Sequence, residues 1–205
     1  MPALDVAIVV GHDSTSQGAR AVDGVREWTW TRPLATQVAV ELERRGRRAG
    51  VLLRDTHGGY QAKMKRVAGA ITAAGAQVAV ELHFNANGGS GTGRTEVLYW
   101  PGSSRGQKLA ALMADQVAEC LGPKRRRQAV AQARSWAHAE DLDGDGRVDP
   151  AGPPLYFLQL TRCPAVIVES HFGDIDSDHT IATEARDDGR LAVAIATAID
   201  SFLRG

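Results

Sequence analysis

The 205-residue sequence lacks several features that would assign it to a specialised class of protein. It has no net charge, with 24 basic and 24 acidic side chains, so it lacks the basic surplus on which nucleic-acid binding depends. It also lacks any apolar run near the roughly 18 residues of a membrane span. The apolar run at its N-terminus, Val6–Val10, is too short for a signal peptide. We therefore expect no nucleic-acid partner, no membrane insertion and no secretory leader.

Cysteine is scarce as well. Cys120 and Cys163 cannot form a disulfide framework, and neither belongs to a CxxC pair. One bridge between them stays open, but thiols are favoured because nothing in the sequence indicates export. A chain of this length buries about 70% of its unfolded surface, which is enough for a core without covalent staples. We expect one domain over residues 1–205, in a monomer.

Short apolar runs alternate with amphipathic segments along the chain. The apolar runs predict five strands: Val6–Val10, Gly50–Arg54, Gln77–Phe84, Thr95–Trp100 and Pro164–Val168. Helical periodicity predicts five helices: Pro33–Arg48, Gln61–Ala74, Gln107–Leu121, Leu155–Leu160 and about Glu184–Leu203. The alternation is typical of an α/β fold with a mostly parallel, twisted sheet of five to six strands and helices on both faces.

A long polar stretch, Lys124–Pro154, interrupts this alternation. Loops of this length without structure are uncommon in compact domains, so we interpret the stretch as an insertion, partly helical around Ala129–His138.

Within the insertion, alternating carboxylates resemble the first part of a calcium-binding loop, with a glycine at its sixth position. The four carboxylates are Asp141, Asp143, Asp145 and Asp149. The twelfth position should be a bidentate glutamate but is Gly152, which excludes a complete EF-hand. A structural Ca²⁺ site and a solvated acidic turn both fit this pattern.

Chemically active side chains stand at the ends of three predicted strands. His12 follows the first strand, His83 lies at the end of the third, and Glu169 follows the fifth, while Glu27 lies in the loop or helix start after the first strand. The carboxyl ends of parallel strands meet at one edge of a sheet. Two imidazoles and a carboxylate are the ligand set of a catalytic zinc site. Scattered polar residues in ordinary roles are the alternative, and no HExxH-type motif decides between the two.

The order of several short motifs resembles a known family. The strings VAIVVGHD, GVREW, VELHFNA, TEVLYW and LTRCPAVIVESHF follow one another over nearly the whole chain. Together they resemble the zinc-dependent N-acetylmuramoyl-L-alanine amidases of bacterial cell-wall turnover and phage lysis. The segments LAALMADQV and LAVAIATAI also fit the pattern of this family. The resemblance implies an α/β fold with a zinc site at the carboxyl ends of the strands.

The resemblance also implies a role for individual residues. The zinc ligands of the family fall on His12, Glu27 and His83, and its catalytic glutamate falls on Glu169. Asn85 matches a position beside the metal and is expected to support the ligand shell.

Two residues in these motifs depart from what is usual. His171 stands where the family usually has glycine, and it either fills space near the site or donates a hydrogen bond to substrate. Glu81 lies two residues before His83, so both side chains point to the same face of a strand. We expect Glu81 to pair with a cation such as Arg54 or with a ligand histidine, rather than to replace a zinc ligand.

The implied activity is hydrolysis of the amide bond between N-acetylmuramic acid and L-alanine in peptidoglycan. Zinc would activate a water molecule, with Glu169 as general base and then general acid. The expected partners are the glycan strands and stem peptides of peptidoglycan. Another zinc hydrolase acting on peptidoglycan, such as a carboxypeptidase or a deacetylase, would use the same ligands. A wall-binding module without catalysis is disfavoured because Glu169 and all three ligand residues are present.

The biological setting follows less directly from the sequence. Without a leader, we expect a phage or prophage endolysin that is made in the cytoplasm and acts on the cell wall after its release. The alternative is the catalytic domain of a bacterial autolysin, located in the periplasm or outside the cell after removal of a leader.

Overall fold

A computed structural model of the protein describes residues 3–89, 91–122, 130–134 and 154–205. Six strands lie within these residues: β1 (Val6–Val10), β2 (Ala49–Leu52), β3 (Val78–Asn85), β4 (Glu96–Tyr99), β5 (Val130–Ala133) and β6 (Ala165–Phe172). The helices are α1 (Glu27–Arg44), α2 (Tyr60–Ala73), α3 (Ser104–Leu121), α4 (Tyr156–Leu160), α5 (Asp176–Asp187) and α6 (Arg190–Arg204). The predicted α/β fold is confirmed.

The strands form one sheet in the order β2-β1-β3-β6-β4-β5. Neighbouring strands are parallel except for β4 and β6, which are antiparallel, so the sheet is mostly parallel as predicted. The central strands β1, β3 and β6 therefore place their carboxyl ends side by side at one edge. His83 of β3 and Glu169 of β6 lie at this edge, and His12 follows β1 there.

Helices cover both faces of the sheet and form two separate cores. On one face, α1, α3, α5 and α6 pack against strand side chains such as Ile8 and Val80. On the other face, α2 and α4 pack against a smaller set that includes Val9 and Ile167. Because both faces are covered, β1 is buried at every residue, which explains its unbroken apolar sequence. No helix within the described ranges is long and apolar enough to cross a membrane.

Helix α3 begins at Ser104, three residues before the predicted Gln107, and two other helix predictions are wrong by more. Helix α1 begins at Glu27 rather than at Pro33, and Pro33 lies inside it. The proline removes one backbone hydrogen bond, but burial of Trp30 and Leu34 on the same helix offsets this cost. The predicted C-terminal helix is two helices, α5 and α6, because Gly189 between them has a φ of 83°, in the left-handed region.

The helix predicted around residues 129–138 is also wrong. Residues Val130–Ala133 form β5, which pairs in parallel with β4 from Glu96 opposite Val130 onward. Pairing with an existing sheet edge decides this conformation, because the four residues have no strong preference of their own. The rest of the polar stretch, including the predicted calcium loop at Asp141, Asp143, Asp145 and Asp149, lies outside the described residues. Both cysteines lie inside them and are free thiols.

Candidate metal centre

His12 reaches the site through a tight turn after β1. Its φ of 62° lies in the left-handed region, which a residue with a side chain rarely adopts. The next residue, Asp13, stabilises the turn, because it accepts a hydrogen bond from the backbone N–H of Thr15 at 2.9 Å. It also forms an ion pair with Lys63 Nζ at 2.6 Å. A Cβ atom at Gly11 would lie 2.6 Å from the His83 ring, so glycine is required where β1 approaches that histidine.

Glu27 is the first residue of α1, and its carboxylate is buried and held by backbone groups. Its Oε1 accepts a hydrogen bond from the N–H of Phe84, and its Oε2 accepts one from the N–H of Ala19, each at 3.2 Å. A Cβ atom at Gly18, where φ is 73°, would lie 2.5 Å from Glu27 Oε2. The backbone around Glu27 is therefore shaped to bring this carboxylate between the two histidines.

His12, Glu27 and His83 form one group, called here the His–Glu–His group. His12 Nε2 lies 3.1 Å from Glu27 Oε2, and His83 Nδ1 lies 2.6 Å from Glu27 Oε1. The three residues offer ligand atoms that all lie within 4.8 Å of one another. Two imidazoles and a carboxylate are the donor types of a catalytic zinc site, so this donor set fits zinc. The predicted residues are brought together.

The charges in the group depend strongly on one another. Burial disfavours the charged form of Glu27, but His12 and His83 outweigh it and hold the pKa of the Glu27 carboxyl far below its usual range. Burial also disfavours a charged His83, but Glu27 outweighs it and raises the pKa of His83 to about 10. Glu27 therefore favours the doubly protonated form of His83 when no cation is bound, and a metal that binds there must displace one of the two protons.

Glu169 lies beside this group on the central strand β6. It pairs with His83 of β3 on one side and with Glu96 of β4 on the other. Paired residues share a face of the sheet, so these three side chains form a row across it. The negative charge of Glu169 is close enough to contribute to the raised pKa of His83. Glu169 is placed next to the His–Glu–His group without belonging to it.

Glu96 completes this row and was not singled out from the sequence. It is 2% exposed, and its Oε1 accepts hydrogen bonds from Arg94, with Nε at 2.6 Å. Its Oε2 accepts a hydrogen bond from Asn85 Nδ2 at 3.0 Å. Asn85 was predicted to support the ligand shell, and its side-chain amide donates this hydrogen bond to Glu96. An acid within the apolar strand EVLY was the available signal, because a buried carboxylate requires a partner.

Glu81 lies beside both of the residues expected from the sequence. Its Oε1 accepts hydrogen bonds from Arg54 Nε and Nη2 at 3.1 and 2.6 Å, and its Oε2 lies 3.4 Å from His83 Nε2. Burial disfavours the charge on Glu81, but Arg54 and His83 outweigh it and lower the pKa of Glu81 to about 2. Glu81 is therefore a charged side chain beside the His83 ring.

His171 lies on the opposite face of the sheet. Between the pairs His83–Glu169 and Asn85–Phe172, β6 has one residue more than β3, which is a β-bulge. The bulge turns His171 into the larger core, where its ring centroid lies 4.6 Å from that of Trp30. There it is fully buried, so it fills space in the core in this structure.

Comparison with known proteins agrees with this geometry. The sequence profile of a family described as N-acetylmuramoyl-L-alanine amidase matches residues 6–201. The chain belongs to this amidase family. Zinc dependence is typical of its members, and the His–Glu–His group supplies suitable ligands. A search of curated proteins finds no match.

Solved structures of similar fold include amidases and an endolysin catalytic domain. The catalytic domain of the CD27L endolysin, which targets Clostridia difficile, is 23% identical with a TM-score of 0.70, covering 98% of this chain and 97% of that one. The CwlD amidase from Clostridioides difficile, solved with the GerS lipoprotein, is 15% identical with a TM-score of 0.74, covering 98% of each chain. AmiC2 of Nostoc punctiforme is 18% identical with a TM-score of 0.69, covering 98% of this chain and 97% of that one. At these identities the similarity establishes the fold.

Proposed function

We propose that the protein is a zinc-dependent peptidoglycan amidase that hydrolyses the bond between N-acetylmuramic acid and the L-alanine of the stem peptide. The observation that carries the proposal is the His–Glu–His group beside Glu169, in a chain of the amidase family. Its substrate would be the glycan strands of peptidoglycan with their stem peptides. The ion we propose is Zn²⁺, which accepts two imidazoles and a carboxylate and keeps a position open for water.

The chain contributes ligands and a proton acceptor to this reaction. When bound, zinc lowers the pKa of a water molecule and polarises the scissile carbonyl. His12, Glu27 and His83 would hold the ion. Glu169 is within the same row of side chains, and we assign it the proton of the attacking water. The same carboxyl then gives this proton to the departing L-alanine nitrogen, which leaves as an amine.

Two substitutions separate these roles. Glu169→Ala should keep zinc and lose about 10²–10⁴-fold in the rate of hydrolysis, because the general base is removed. His12→Ala should lose both zinc and hydrolysis. The measurements are zinc content per chain and mass spectrometry of muropeptides, which should show a new amino terminus on L-alanine. Wall clearance by Glu169→Ala at the wild-type rate would refute the assigned role.

The muropeptide products also test the rival reactions. A carboxypeptidase would release a C-terminal amino acid, and a deacetylase would release acetate from the glycan. Either product in place of the new L-alanine amine would refute the proposed bond specificity while leaving the metal centre intact.

We further propose a lytic role of the endolysin type, with synthesis in the cytoplasm and action on the cell wall after release. Its support is that the endolysin catalytic domain has the highest identity of the three structures described above. An autolysin would instead reach the wall during growth. Fractionation of expressing cells decides: intact cells should retain activity inside until the membrane is permeabilised, and activity in the medium of intact cells would contradict the proposal.

A further inference from the structure

Glu81 is a buried acid in a central strand, and the proposed reaction assigns it no step. Glu81 lies in β3, between β1 and β6, and is completely buried. Burial of a carboxylate destabilises the fold unless hydrogen bonds and an opposite charge compensate it. The groups that compensate it therefore indicate what Glu81 does.

The two oxygens of Glu81 face different partners. Oε1 accepts two hydrogen bonds from Arg54, whose side chain is 7% exposed. Oε2 is buried and has no hydrogen bond among the described residues, and it lies 3.4 Å from His83 Nε2. Because the guanidinium holds one oxygen, the other is fixed in direction toward the histidine.

The second nitrogen of His83 belongs to the metal group. Nδ1 lies 2.6 Å from Oε1 of Glu27, the carboxylate that His12 also contacts. A neutral imidazole carries its proton on one nitrogen only, and the other offers a lone pair. To bind a metal through Nδ1, His83 must therefore keep its proton on Nε2. Glu81 Oε2, 3.4 Å from Nε2, is the acceptor available to this proton.

Arg54 would favour the wrong tautomer if Glu81 did not engage it. Arg54 Nη2 lies 3.4 Å from His83 Nε2, and a guanidinium can only donate. An N–H donated to Nε2 would require the proton of His83 to sit on Nδ1, where it blocks the metal. Glu81 Oε1 takes the shorter of the two contacts of Arg54 Nη2, at 2.6 Å, and its other oxygen, Oε2, offers His83 an acceptor.

We propose that Glu81, held by Arg54, is a positioning residue that keeps the proton of His83 on Nε2 and leaves Nδ1 to the metal. The inference rests on the proposed function, because it takes His83 as a metal ligand. Carboxylate partners of ligating histidines have this effect in metal sites generally.

Glu81→Gln is the variant that tests this role. Its amide oxygen would still accept from Arg54, which leaves the NH₂ group, a donor, facing Nε2. We expect zinc affinity to fall about 10–100-fold, measured by competition with a chromophoric chelator. Adding Arg54→Met should restore most of this affinity, because the amide can then rotate and accept from Nε2–H.

Glu96→Gln is the matched control, since Glu96 is also a buried strand acid held by an arginine but has no contact with His83 among the described residues. It should bind zinc as the wild type does. Wild-type zinc affinity in Glu81→Gln, or equally weak binding in Glu81→Gln and the double variant, would overturn the inference.

A measurement on the unaltered protein covers the case in which Glu81→Gln does not fold. In the zinc-loaded protein with ¹⁵N-labelled histidine, NMR should show His83 protonated at Nε2. A proton on Nδ1 would overturn the inference. If the wild type bound no zinc, the proposed function itself would fail, whereas normal zinc binding with the wrong tautomer would refute only the role of Glu81.

Discussion

Two pairs of histidines have nearly equal distances between their rings, but their nitrogens face different kinds of partner. The rings of His12 and His83 are 5.0 Å apart, and those of His171 and His179 are 5.3 Å apart. In the first pair, each histidine points a nitrogen at the same carboxylate, Glu27. Their lone pairs can therefore converge on one ion.

In the second pair, the ring nitrogens face each other and neighbouring polar side chains. His171 Nε2 lies 3.1 Å from His179 Nδ1, and His171 Nδ1 lies 2.9 Å from Ser170 Oγ. His179 Nε2 lies 3.1 Å from Asp23 Oδ2. We call His171 and His179 the buried histidine pair, and the Trp30 ring packs against both of their rings. Convergence of lone pairs, rather than the presence of histidines, separates a candidate metal site from a polar network in the core.

Removal of zinc should give the largest effect and should distinguish the two pairs. At free zinc about 1,000-fold above Kd, binding adds about 4 kcal/mol to the free energy of unfolding. For a chain of this size, a chelator should then lower Tm by about 10 °C. Thermal unfolding with and without chelator measures the shift. His83→Ala is the control and should show no shift, and a chelator effect that persists in this variant would place the ion elsewhere.

His171→Ala should give the next largest effect, on stability alone. It leaves a cavity beside Trp30 and removes the partner of His179 Nδ1, at a cost of about 3 kcal/mol. Urea denaturation measures the loss, and zinc content per chain should stay at the wild-type value. A variant that loses zinc but keeps its stability would mean that the two pairs are not separate.

Asp23→Asn should give the smallest effect, and its size should depend on pH. Burial opposes the charge on Asp23, but the backbone N–H of Val25 and the His179 side chain outweigh it and lower the pKa of Asp23. The carboxylate thus stabilises the fold above its unfolded pKa of about 3.9, and this contribution disappears as the pH falls through the lower folded pKa.

Because the Asp23 side chain is 47% exposed, we expect under about 1 kcal/mol at pH 7. Urea denaturation of both proteins at pH 7 and at the lowest pH where they fold measures the difference. A difference that grows on acidification would contradict the assigned cause.

The candidate site was predictable where a side chain follows from its place in a motif. His12, Glu27, His83 and Glu169 stand at ends of apolar runs or in short family motifs, and the structure brings them together. Glu96 was missed because its position beside Glu169 depends on the antiparallel pairing of β4 with β6. Strand order and register are properties of contacts distant in sequence, so local patterns do not contain them.

In the fold too, local sequence patterns predicted some elements, whereas others depend on contacts between distant segments. Periodic apolar runs predicted five strands and the α/β class. The strand Val130–Ala133 was missed because an existing sheet edge determines its conformation. The surroundings of His171 depended on a bulge that only the pairing of β3 and β6 reveals.

The sequence by itself determined the class of fold, the family and the residues able to hold a metal, because these follow from local periodicity and from motifs in a fixed order. Only the tertiary structure decided which histidines converge on one carboxylate and which bond to each other. It also decided which acid lies behind His83. The physical reason is that a lone pair serves a metal only when its direction is set, and direction depends on register, bulges and packing between distant segments.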